Sequence, residues 1–369
     1  MSRIAEQVLP VTGGVDTHAD VHVAAVVDQV GRVLGTEAFP ATAAGYRAAL
    51  AWMSSRGELA KVGVEGTGSY GAGLARYLGA RGVEVVEVIR PNRQARRQRG
   101  KSDAADAVAA ALAALNGEAA GVPKGHDGAV ESIRMLRVAR CGAVKARTQA
   151  GNQLRDLIVT APEKVRQQLA GLPREQQVAA AARFRPRDLA GPCHGARAAM
   201  ASVARRHQAL TTEIARLDAA LEELARHAAP QRLLARQGVA TQVASTLLVT
   251  VGDNPGRLRS EASFAALCGA SPVDASSGKQ IRHRLNRGGD RQANSALWRI
   301  VVTRMAHDRR TKAYVARRTT EGKTKKEIIR CLKRYVAREV YKTLITPNPA
   351  SRQTAGRGLS HERCFRHLG

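Results

Sequence analysis

Two apolar segments end on carboxylates, Gly14-Val15-Asp16 and Val62-Gly63-Val64-Glu65, and a further pair, Asp103 and Asp106, stands three residues apart in an Ala-rich helical stretch. Three apart on a helix means one shared face. A charge at the end of an apolar strand is expensive unless something compensates it, so this placement admits few folds. Two carboxylates held about 4 Å apart repel by roughly 4 kcal/mol even at an effective dielectric near 20. A cluster of Asp16, Glu65, Asp103 and Asp106 therefore asks for a cation. Mg2+, a hard ion that takes oxygen ligands, fits best, with Mn2+ as the alternative.

The intervening segments set the order of elements. Val21 to Val27, the turn residues Asp28-Gln29-Val30-Gly31, and Val33 to Phe39 read as two strands joined by a hairpin. Thr42 is placed to cap a helix with an apolar stripe of Tyr46, Leu50 and Met53, ended by Gly57 before the Glu65 strand. A helix from Gly71 to Gly79, a strand from Val83 to Ile89 and the Asp103/Asp106 helix complete the unit. Three antiparallel strands followed by alternating helices and strands match a ribonuclease-H-like order, with the first acid on strand one and the last on a helix. Each acid alone has an ordinary explanation as a turn former or a cap, and Lys101-Ser102-Asp103 is also a plain helix start. Their joint placement is what points to a metal site. His18 and His22 flank the first acid at spacings that diagnose nothing, so surface or packed histidines are the default reading.

Lys and Arg number 59 against 31 Asp and Glu, a formal charge of +28, which points to a polyanionic partner and first of all to nucleic acid. No apolar run is long enough to span a bilayer and no secretory signal is evident, so the expected setting is cytoplasmic, with no membrane partner. The cysteines at 141, 193, 268, 331 and 364 form no CxxC pair, against a zinc finger or disulfide scaffold. Aromatic residues are only 3%, so phosphate contact by Arg and Lys, not stacking on rings, is the expected main mode of binding. A dense basic run, with Arg93, Arg96, Arg97, Arg99 and Lys101, lies directly before the acidic helix, where substrate phosphates would be neutralised. Its bland reading is a solvated linker.

A chain of 369 residues is long enough for two or three domains. The expected division is an α/β domain over 1–125, a helical or coiled-coil segment over 126–230, a mainly helical domain over 231–346, and a loosely ordered tail over 347–369. In the second part Pro162, Pro173, Pro186 and Pro192 act as breakers, and Leu210, Ile214, Leu217, Leu221 and Leu224 step by four and three. That seam suits a helical hairpin or a coiled-coil contact, and equally core packing within one subunit. In the third part a helix from Thr324 to Leu344 puts Ile328, Ile329, Leu332, Val336 and Val340 inward and Lys325, Lys326, Lys333, Arg334 and Arg338 outward, towards phosphates. Upstream, Ala275-Ser276-Ser277-Gly278-Lys279 is followed by Arg282, His283, Arg284 and Arg287. Such a serine-glycine pair is usually a turn. As a nucleophile on phosphate, serine needs cations to absorb charge, which are abundant here, and a base, which is not obvious.

Gly66-Thr67-Gly68-Ser69-Tyr70-Gly71 matches the dinucleotide pattern GxGxxG, but Glu65 would then stand beside the pyrophosphate, where bare amides are needed. A sugar-kinase-like or actin-like ATPase also begins with a strand ending in Asp, but the second Gly-rich region it requires is not found.

GVDTHADVHVAAVVD, VGVEGTGSYG, RGKSDAADA and CGASPVDASSGKQIRHRLNRGGDRQAN, in that order, resemble the IS110 (IS-one-ten) insertion-sequence transposases, which are of the DEDD and not the DDE type. The resemblance runs from about residue 12 to 345. It implies an α/β plus α architecture: an N-terminal RuvC-like (ribonuclease-H-like) domain, a helical coiled-coil segment and a mainly helical C-terminal transposase domain. It implies that Asp16, Glu65, Asp103 and Asp106 hold the metal and that Ser277, with Ser276 as the fallback, is the nucleophile. It further implies DNA donor and target, a non-coding bridge RNA as guide, and a dimer or tetramer whose active sites combine both domains. Gly238-Val239-Ala240 and Asn286-Arg287-Gly288-Gly289-Asp290 depart from the Gly-Val-Gly and Ser-Lys-x-Gly-Asn blocks of many members. The remaining basic residues near the serine, Lys279, Arg282, Arg284 and Arg287, are expected at nucleic acid. A RuvC-like junction resolvase using metal-activated water and a non-catalytic nucleic-acid-binding protein are the competing expectations.

Overall fold

The computed structural model describes residues 9–88, 102–185, 189–278 and 283–345. Arg93, Arg96, Arg97, Arg99, Lys101, Lys279 and Arg282, expected at nucleic acid, lie outside these residues, as does the tail from 347. The chain forms two compact units, one running to Gly128 and taking in Val251–Ser263, the other built from Ala129–Thr250 and from Phe264 onward. The architecture is mixed α/β in the first and mostly helical in the second.

In the first unit, β1 (Pro10–Thr17), β2 (Val21–Val27) and β3 (Val33–Pro40) form an antiparallel meander. Asp28 shapes its hairpin: one carboxylate oxygen accepts from Val30 N at 3.0 Å and Arg32 N at 2.8 Å, while Gly31 takes φ +84°. Thr42 caps α1 (Ala43–Ser54) as its sequence suggests, Oγ1 accepting from Gly45 N at 3.2 Å. Then β4 (Glu58–Glu65), α2 (Ala72–Gly79) and β5 (Glu84–Val88) add two parallel strands on the other side of β1, giving the order β3-β2-β1-β4-β5.

Side-chain alternation divides this sheet into two faces. One carries Val11, Val15, Val62 and Val64 and packs on Met53 of α1 and Leu74 and Leu78 of α2. The other receives α3 (Asp103–Leu115), whose inner face is alanine: Ala107, Ala110, Ala111 and Ala114 are all buried. Glycine stands beneath it on two adjacent strands. A Cβ on Gly14 would lie 2.1 Å from Ala111 N and 2.3 Å from Ala107 O, and one on Gly63 would lie 2.5 Å from Ala110 O. Small residues on both surfaces let the helix backbone rest directly on strand backbone.

Val251–Ser263 closes this unit from far along the chain. Asn254 Nδ2 donates to Pro123 O at 2.9 Å and its Oδ1 accepts from Gly125 N at 3.0 Å, and Arg257 Nη1 donates to Val122 O at 3.1 Å. The segment thus held is fixed to the sheet through Gly121, whose carbonyl accepts from Glu87 N at 2.7 Å.

The second unit is led by a long antiparallel hairpin of α4 (Ala129–Thr160) and α7 (Pro192–Ala228), with α5 (Glu163–Leu169) and α6 (Arg174–Ala182) packed at one end. Ile214 and Leu221 are buried on α7, with Leu210, Leu217 and Leu224 half-buried, so the expected seam is packed within one chain. Arg140 grips Asp218 across it with Nε–Oδ1 at 2.5 Å and Nη2–Oδ2 at 3.1 Å. Pro162 and Pro173 sit at the N-caps of α5 and α6, and Pro192 opens α7, where a missing N–H costs least. The chain continues through α8 (Gln231–Leu234), α9 (Thr241–Val251), α10 (Glu261–Leu267), a short ladder of Val273–Asp274 with His283–Arg284, α11 (Arg291–His307), α12 (Arg309–Thr320) and α13 (Lys325–Ile345). No helix among the described residues is long and apolar enough to cross a membrane.

One side chain of α13 departs from expectation. Lys333, expected outward at phosphates, is only 6% exposed, and its Nζ donates to Asn294 Oδ1 at 2.8 Å. It is buried because α13 packs against several helices: Lys333 and Ala337 join Ile328, Leu332, Val336 and Val340 on a wide inner surface. Asn294 in turn donates to the carbonyls of Cys268 and Gly269 at 2.8 and 3.1 Å, making Lys333 part of an internal polar tie.

Candidate metal centre

Gly14 and Asp16 share one face of β1, and Gly63 and Glu65 share the same face of β4, because Gly14 and Gly63 are register partners in parallel strands. The glycines seat α3, so the acids one step further along each strand lie beside the start of that helix. Ser102 supplies the N-cap, its Oγ accepting from Ala105 N at 3.2 Å, and Asp103 and Asp106 fall in the first turn. Carboxylates there are favoured by the helix dipole by roughly 0.3–1 kcal/mol each, which offsets part of their mutual repulsion.

Asp16 is buried, and its Oδ2 lies 3.1 Å from His18 Nε2; the same nitrogen lies 3.5 Å from Asp103 Oδ1. Ligand atoms of Asp16, His18 and Asp103 all fall within 4.8 Å of one another. Burial pushes the Asp16 carboxyl above its ordinary range; His18 opposes this, and the nearby charges of Asp106 and Asp103 add to it. A carboxylate so placed gains from a cation, so the donor set fits a divalent metal. Asp106 is buried beside it. Glu65 ends β4 on the same face, half-buried with Oε2 shielded from solvent, while its carbonyl accepts from Thr17 Oγ1 at 2.8 Å.

The two histidines divide. His22 is packed, stacked on Tyr46 with ring centroids 5.6 Å apart, and burial holds its pKa below the ordinary value. His18 is the residue that sequence reasoning passed over. Its signal was its position two residues beyond Asp16, where the strand ends and the chain turns back towards the acids.

In the second unit Ser277 is exposed next to Gly278, which takes φ +53°. Ser276 differs: its hydroxyl donates to Asp274 Oδ1 at 2.5 Å and its amide to the same oxygen at 2.9 Å, which holds the Asp274 carboxyl below its usual range. Arg284 and Arg287 are exposed nearby in the chain, Lys325 and Lys326 are exposed at the start of α13, and Arg334 is half-buried. In the two blocks that differ from the family pattern, Gly238, which keeps the pattern's first glycine, and Asp290, which does not keep its Asn, both have structural work. Gly238 takes φ +85° against Ile300, and Asp290 caps α11 by accepting from Gln292 N at 2.7 Å and Ala293 N at 3.1 Å.

No curated protein matches the chain. Two family models do: the DEDD transposase model of the IS110 type over residues 13–161, and the transposase IS116/IS110/IS902 family over residues 230–316. Together they span well over half of the chain and take in both the acidic face and the serine loop, and the chain belongs to the IS110 family of transposases.

Proposed function

We propose that this transposase cleaves and rejoins DNA with a divalent metal held by Asp16, Glu65, Asp103 and Asp106, using Ser277 as nucleophile and a non-coding RNA as guide. The observation that carries this reading is the convergence of Asp16, His18 and Asp103 on one point, with Asp106 acting on Asp16, in a member of this family. The strand order, antiparallel up to β1 and parallel beyond, supports a RuvC-like, ribonuclease-H-like fold for the first unit. Mg2+, or Mn2+, bound by these carboxylates would supply charge neutralisation at a phosphodiester and lower the pKa of an attacking oxygen.

Ser276 commits its hydroxyl to Asp274, which favours the exposed Ser277 as the attacking group. Its Oγ forms a bond to phosphorus as the bond to one strand's hydroxyl oxygen breaks; the serine gives up its proton and the leaving oxygen gains one. The phosphoester count is unchanged, so a second strand's hydroxyl can reverse the step and release the serine, whereas hydrolysis would discard that bond energy. Arg284, Arg287, Lys325, Lys326 and Arg334, with the basic run at 93–101 and Lys279 and Arg282, supply phosphate contacts. A +28 chain with few aromatics suits a division in which pairing to RNA chooses sequence and the protein grips backbones. A dimer or tetramer working on the nucleoid in the cytoplasm completes the reading.

The test is denaturant-trapped protein–DNA adduct formation. Wild type should give a covalent adduct, Ser277→Ala none, and the double change Asp103→Ala with Asp106→Ala should abolish strand breakage. Strand exchange that survives Ser277→Ala would turn the reading towards a junction resolvase that uses water, and breakage that survives loss of both aspartates would remove the metal site from catalysis. Sequencing nucleic acid that copurifies with the protein tests the guide: a transcript from DNA flanking the gene is expected.

A further inference from the structure

Three helices of the second unit enclose a cleft of about 330 Å³ that the acidic face and serine loop do not explain. Its floor is apolar, formed by Val301 of α11 and Leu332 and Val336 of α13, all buried. Its wall is aromatic: Tyr314 of α12 and Tyr335 of α13 meet edge to face, with centroids 5.8 Å apart at 82°. Tyr335 is 54% exposed, so its ring face is open to the cleft and to solvent.

Charge around this wall is cationic. Among the described residues that line the cleft, the one carboxylate, Glu339, accepts from Arg304 at 2.7 and 3.1 Å and lies 3.3 Å from Arg236 Nε, which holds its pKa below the ordinary range. Arg310 and Arg317 also line the cleft, and the Arg317 guanidinium carbon lies 5.4 Å from the Tyr314 ring centroid. An apolar floor, an exposed ring and guanidinium groups together match a ligand with one flat aromatic part joined to anionic parts. The volume lies at the lower end of the roughly 300–1,000 Å³ typical of small-ligand sites.

Resting on the nucleic-acid reading above, we propose that this cleft takes one unstacked nucleobase of a single-stranded nucleic acid, stacked on Tyr335, with the flanking phosphates on Arg310 and Arg317. Phosphate contact alone would need no ring and no apolar floor, and stacking is tolerant of base identity. The cleft therefore selects unpaired strand over duplex, not one sequence over another. In strand exchange it would hold a displaced or unpaired nucleotide.

The test uses the full chain with single-stranded DNA and RNA oligonucleotides carrying 2-aminopurine at one position, matched strands with an abasic site there, and a duplex control. Affinity is read by anisotropy and stacking by quenching of the probe. Tyr335→Ala should lose roughly ten- to hundred-fold in affinity for the intact strand, the span of base–ring stacking, and should lose quenching. Tyr335→Phe should retain both. The loss should vanish on the abasic strand and on duplex, and the strand type with the larger Tyr335-dependent loss identifies the natural occupant. Equal binding by Tyr335→Ala and wild type, or an equal loss on the abasic strand, would overturn the cleft proposal while leaving the transposase reading intact. A Tyr335→Ala protein that instead changes its oligomeric state in sedimentation would overturn it in favour of a second copy in the cleft. Wild type that binds neither single strand nor duplex would defeat both readings.

Discussion

Lys333 shows how far one residue's environment governs its chemistry. Burial, with Arg330 nearby, lowers the pKa of its ammonium, so between that lowered value and about 10.5 the unfolded chain holds more protons than the folded one. Stability contributed at this position therefore rises as pH climbs through that window, the opposite of a lysine that gains an acidic partner. Lys333→Met removes the titration and leaves Asn294 Oδ1 without its ammonium donor, a loss of about 1–3 kcal/mol. Urea denaturation at about pH 8 and pH 10 should show the deficit of Lys333→Met relative to wild type widening at the higher pH. A constant deficit would mean that the lysine titrates as if exposed.

At the scale of elements, the seat of α3 decides whether the acids meet. A Cβ at Gly14 would run into the backbone atoms Ala111 N and Ala107 O, which no side-chain rotation relieves, so Gly14→Ala must lift the helix. We expect a destabilisation of about 1–3 kcal/mol or more, measured by chemical denaturation. The same variant should lose the rise in Tm on adding Mg2+ or Mn2+, because Asp103 and Asp106 move with the helix. A variant destabilised yet still stabilised by metal would separate the seat from the site. Much here was legible in the sequence. Apolar segments separated by turn residues mark the Val21–Val27 strand and, one residue short of its end, the Val33–Pro40 strand, and the side-chain chemistry of Thr42 marks its helix start. Less legible were long-range matters. Gly14 and Gly63 look like ordinary strand glycines until register pairs them under one helix, and His18 lies outside the acidic pattern until the chain turns. Lys333 lies outside the single apolar stripe that helical spacing marks, yet packing against several helices buries a wider arc that takes it in.

Over the whole molecule, the excess of positive charge sets how binding responds to salt. With on the order of ten phosphate contacts, affinity for DNA should fall roughly 10³- to 10⁵-fold between about 50 and 200 mM salt, read from the slope of log affinity against log salt. A flat response would refute backbone contact as the main source of affinity. Connectivity has a different consequence. The clasp that Asn254 and Arg257 place on Val122, Pro123 and Gly125 belongs to the first unit but is encoded far downstream of it. A ribosome releases the carboxylate-bearing sheet long before it delivers this fastening, so a chain stopped early carries its acids on a scaffold whose last segment is untied.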